Sequence, residues 1–68
     1  MFIIKWTNKF SNETGFVESI DTKEKHFNNT FDQASAKQYN KKNTAYKNIS
    51  KLRSFGEGDN NTFEILSI

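Results

Sequence analysis

Apolar and polar residues alternate at the start of the chain, where Phe2, Ile4 and Trp6 interleave with Ile3, Lys5 and Thr7. A period of two is that of a β-strand, whose successive side chains point to opposite faces of a sheet. Residues 8–15 then collect Asn, Ser and Gly, which accept turn geometry, and predict a hairpin loop. Phe16, Val17 and Ile20 predict a second strand, and residues 24–31 a third after a tight turn at residues 21–23. The adjacent Asn28 and Asn29 make the third strand the weaker pattern, since asparagine is depleted in strands.

The period changes after Phe31. Thr30 and Gln33 have the spacing of a capping box, which predicts a helix start carrying Ala34, Ala36 and Tyr39. Polar residues 40–43 interrupt it, and Asn43 is suited to cap a second helix. There Ala45, Ile49 and Leu52 recur at spacings of four and three and form one apolar stripe, flanked by Tyr46 and Phe55. One continuous helix over residues 33–55 satisfies the same pattern. Gly56 suits the position just past a helix end, residues 57–62 read as a loop, and residues 63–68 as a last strand. The order β-β-β-α-α-β predicts an α+β fold, a small antiparallel sheet of three or four strands with helix packed on one face. Residues 1–68 make one small domain with a single core.

Cysteine is absent, which removes disulfides, thiolate metal sites and cysteine nucleophiles, and suits a reducing, cytoplasmic setting. The apolar start breaks at Lys5, too early for a signal-peptide core, and no later apolar run approaches membrane-spanning length. Neither a membrane partner nor a cofactor is expected.

The net charge of +2 is mild, but its distribution is not even. Residues 33–56 contain no acid, and Lys37, Lys41, Lys42, Lys47, Lys51 and Arg53 all fall within them. At about 100° per residue, Lys47 and Lys51 lie opposite the Ala45–Ile49–Leu52 stripe, and Tyr46 and Arg53 share its edge. Much of the basic segment is therefore the solvated side of an amphipathic helix. What is left is an acid-free surface of Lys41, Lys42, Lys47, Lys51 and Arg53, with Tyr39 and Tyr46 as candidate contact rings, in reach of a negatively charged partner. Lysine gives point charges without the bidentate fork of arginine, and Arg53 is the single arginine.

Catalytic chemistry has little to build on. His26 is the only histidine; Glu24, two residues away, would share its face of a strand, but no nucleophile accompanies the pair. Acidic residues are scattered, without the spacing of a calcium loop or carboxylate dyad, so no metal site is expected. Residues 56–59 lack the lysine and Ser/Thr of a phosphate-binding loop. Trp6, on the Phe2–Ile4 face, is assigned to the core.

A strand opening at Met1, the Lys/Asn-rich composition and the register Ala36-x-x-Tyr39 followed by Ala45-x-x-x-Ile49-x-x-Leu52 resemble small phage and mobile-element proteins of low-GC Gram-positive bacteria. The resemblance implies a protein that binds one host component, with anti-CRISPR inhibitors of defence nucleases among that type. It carries no functional residue across. The expectation is a non-enzymatic module acting by protein–protein interaction, in which an open edge such as residues 63–68 pairs with a partner or with a second copy as a homodimer. The alternative is a nucleic-acid binder, with the cations of residues 37–53 on phosphates, Tyr39 or Tyr46 stacking on bases, and steep salt dependence.

Overall fold

The computed structural model describes residues 1–55 and 60–68. The expected helix-terminating Gly56 and the first half of the expected loop, residues 57–59, lie outside the described residues, and Asn61 and Thr62 of that loop belong to the last strand. In chain order come strands β1 (Phe2–Asn8), β2 (Thr14–Asp21) and β3 (His26–Thr30), a 3-10 turn at Gln33–Ser35, helix α1 (Lys42–Ser54) and strand β4 (Asn61–Ser67). The strands form one antiparallel sheet in the order β3-β2-β1-β4. The fold is α+β, as its pattern predicts.

Local chemistry closes both hairpins. Asn8 Oδ1 accepts from the N–H groups of Phe10 and Ser11, and Asn12 takes a left-handed φ of 61° to bring the chain back into β2. At the second turn Asp21 Oδ1 accepts from Lys23 and Glu24, and Lys25 supplies the positive φ of 57°. Asx turns of this kind replace backbone pairing where the chain reverses. Glu24 thus belongs to the turn, and β3 begins only at His26.

Spacing within β2 is irregular for a strand, since Val17 and Ile20 are three apart and would point to opposite faces. The register against β3 shifts between Val17 and Ser19, leaving Glu18 as the extra residue of a bulge. Val17 and Ile20 can therefore both join the core. That core consists of Ile4, Trp6, Val17 and Phe63 from the sheet, Tyr39 and Phe55, and Ala45, Ile49 and Leu52 from α1, with Phe2, Ile20, Phe27 and Ile65 packed against it.

Residues 33–39 depart from the expected first helix. Asp32, not Thr30, is the cap, accepting from the Ala34 N–H at 3.0 Å, and the helical turn ends after three residues. Ala36 and Tyr39 lie in extended chain because the sheet claims their neighbours' backbone groups. β1 and β2 are in register only from Lys5↔Phe16 to Thr7↔Thr14. Where they part, Lys37 N–H donates to Val17 O at 3.0 Å, and Phe2 and Tyr39 exchange two N–H···O bonds of 2.8 Å. Ile3 and Ala36 are buried as well, outside the main cluster. α1 starts at Lys42 with Lys41, not Asn43, as its N-cap residue, and no side chain caps it.

Candidate functional site

The basic segment is split by the fold into three environments. Tyr39 is 5% exposed and belongs to the core, which removes it as a stacking platform; burial raises its hydroxyl pKa above the usual 10.0. This corrects the expectation that both tyrosines offer contact surface, and the cause is the bridge that pins Tyr39 to Phe2. Lys47 and Lys51 are exposed on the outer side of α1, opposite its buried stripe, with Lys41 exposed at the helix start. Lys42, Tyr46 and Arg53 form the third group, and it is the one that meets other elements.

Positions 42, 46, 49 and 53 follow the i, i+4, i+7, i+11 row of a helix, beside the core stripe. That row faces β4. Lys42, Tyr46, Ile49, Ser50 and Arg53 line one side of a groove of about 370 Å³, and Phe63, Glu64 and Ile65 the other. Tyr46 is 54% exposed, with Lys42 Nζ 5.9 Å from its ring centre, a cation–π arrangement that holds the charge over the groove. The Glu64 carboxylate does not neutralise these cations. It lies 3.6 Å from Lys5 Nζ, its register partner on β1, on the sheet face away from α1. Glu64 is among the groove's lining residues, and α1 itself contains no carboxylate.

The strand wall of the groove is an open sheet edge. Paired residues in an antiparallel ladder alternate between those that exchange hydrogen bonds and those whose N–H and C=O groups point away. The Ile68 N–H donates to Met1 O at 2.9 Å and the Lys9 N–H to Asn60 O at 2.9 Å, which sets the phase at both ends of the β1–β4 ladder. Both ends agree: Ile3, Lys5 and Thr7 exchange bonds with Leu66, Glu64 and Thr62, while Phe63 and Ile65 direct their N–H and C=O outward. The same phase turns the Phe2 groups toward Tyr39, as observed. No described strand lies beyond β4.

His26 and Glu24 are not arranged as a strand pair, because Glu24 is an exposed turn residue, and His26 is in register with Asp21. Among the described residues, no three His, Asp or Glu side chains gather where they could hold a metal ion, and no helix is long and apolar enough to cross a membrane. Sequence reasoning named residues 63–68 as a candidate open edge but did not single out Phe63 and Ile65 within it or place that edge beside Lys42 and Arg53. The outward groups of Phe63 and Ile65 follow from sheet order and ladder phase, neither of which leaves a local mark in the chain. Comparison with protein-family models, with curated proteins and with solved structures returns no match.

Proposed function

We propose that this chain is a non-enzymatic binding protein that holds a negatively charged protein partner at the α1–β4 groove. The observation that carries the reading is the meeting of Lys42, Arg53 and the exposed Tyr46 with an open strand edge, while the carboxylate of Glu64, the one acid of β4, is paired with Lys5. Aromatic and arginine side chains are the usual energetic anchors of interfaces, and a strand edge offers main-chain bonds to a partner. With the resemblance to phage and mobile-element proteins, this favours a role in a host cytoplasm, as an inhibitor of a host or defence protein.

Affinity capture from host lysate, with and without nuclease, tests the proposal. The expected result is a protein retained after nuclease treatment, lost with Lys42→Glu/Arg53→Glu and kept with Lys47→Glu/Lys51→Glu. Retention that vanishes with nuclease, or that depends on Lys47 and Lys51, would move the function to nucleic acid bound along the outer face of α1.

A further inference from the structure

We infer that the occupant of the groove is an extended, acidic segment of the partner protein, added beside β4 as a fifth strand of the four-stranded sheet. This rests on the protein-binding reading above and specifies how the binding is made.

The backbone carries the first part of the argument. Phe63 and Ile65 each aim an N–H and a C=O past the sheet edge, and both residues line the groove. Two residues of a strand span roughly 7 Å, so the edge presents two donor–acceptor pairs at strand repeat. An extended peptide supplies an N–H for each carbonyl and a C=O for each amide. A nucleic-acid phosphate offers acceptors only and would leave the Phe63 and Ile65 carbonyls without donors.

Side-chain phase and charge carry the second part. A residue paired directly with Phe63 or Ile65 points to the same face as they do, toward α1, where it meets Tyr46 and the edge of Ile49. These positions suit apolar residues two apart. Lys42 and Arg53 are eleven helical positions apart, roughly 16 Å along the axis, close to the length of about five extended residues. Acidic residues flanking the apolar pair reach both cations. A second copy of this chain is a poorer occupant: pairing β4 with β4 brings two grooves rimmed by Lys42 and Arg53 together, and the one acid among the described lining residues, Glu64, is already paired with Lys5.

The test uses the full chain and peptides selected on it from a random twelve-residue library. The proposal expects selected peptides to carry acids flanking alternate apolar positions, and to slow hydrogen exchange at the Phe63 and Ile65 amides. N-methylation of one alternate set of peptide amides should abolish binding while the other set is tolerated. Lys42→Glu/Arg53→Glu should weaken binding by about tenfold or more, and Lys47→Glu/Lys51→Glu should not. Failure to select any peptide, indifference to N-methylation, or binding without protection of Phe63 and Ile65 overturns strand addition. Protection that instead appears in the chain alone as its concentration rises assigns the edge to a second copy. If the lysate capture succeeds while these fail, the mode is wrong and the protein-binding reading stands; if the capture also fails, that reading falls with it.

Discussion

Gly15 pairs with Trp6 across the β1–β2 ladder, and a Cβ added there would lie 2.7 Å and 2.9 Å from two carbons of the indole. Its φ is not positive, so the constraint is space and not backbone conformation. Trp6 also packs against Phe27 and Phe31, with ring centres 6.5 Å and 6.2 Å away. Gly15→Ala should therefore cost about 1–3 kcal/mol by overpacking, read as a lower urea midpoint at unchanged slope. Tyr39 poses the opposite problem, because its hydroxyl is buried and has no hydrogen-bond partner among the described residues. Tyr39→Phe should leave stability equal or higher, since it removes a buried polar group that has no partner; a loss above about 1 kcal/mol would reveal a bond to the hydroxyl. The pH dependence has a definite sign. Burial raises the Tyr39 pKa above the 10.0 of the unfolded chain, so its contribution is complete below pH 10.0 and is lost as pH rises through the folded value. Alkaline unfolding followed by circular dichroism should be shallower in Tyr39→Phe than in the parent chain.

Helix α1 owes its position to packing more than to its ends. Ala45, Ile49 and Leu52 are buried against the sheet, and Ile49→Ala should cost about 2–5 kcal/mol. Its N-terminus is weak: Lys41 has the extended backbone of an N-cap, φ −122° and ψ 136°, but offers no acceptor to the free amides, and Lys42 adds a cation at the positive end of the dipole. Lys41→Asp should stabilise the fold by about 1 kcal/mol, a rise of roughly 4–8 °C in Tm for a domain of this size. An unchanged or lower Tm would show that the helix start is satisfied in another way. The periodicity of α1 was legible in the chain because one face repeats at 3.6 residues. The fate of residues 33–39 was not, because a capping-box spacing and two alanines describe only local preference. Their backbone groups gain more by bonding Val17 and Phe2 than by closing a second helical turn, and those partners are distant in sequence.

Across the whole molecule, the order β3-β2-β1-β4 makes β3 and β4 the sheet edges, although β1 is the first strand in the chain. β3 carries Asn28 and Asn29, exposed, and Asn28 bonds Ser19 at 2.8 Å across the ladder. β4 is the longer and more apolar edge, and the cations of α1 stand beside it. Like charge at that edge opposes self-pairing, so light scattering at high micromolar concentration and low salt should give a monomer. A concentration-dependent dimer would contradict the charge argument. Alternation in β1, the stripe of α1 and the Asn-rich turns were readable from residue order, because strand, helix and hairpin preferences act between residues a few positions apart. The separation of Tyr39 from Tyr46, the bulge that brings Ile20 to the core, and the open Phe63–Ile65 edge facing Lys42 and Arg53 were settled only by tertiary structure. Each depends on which strands become neighbours and in what register, and that is decided by long-range burial and backbone pairing.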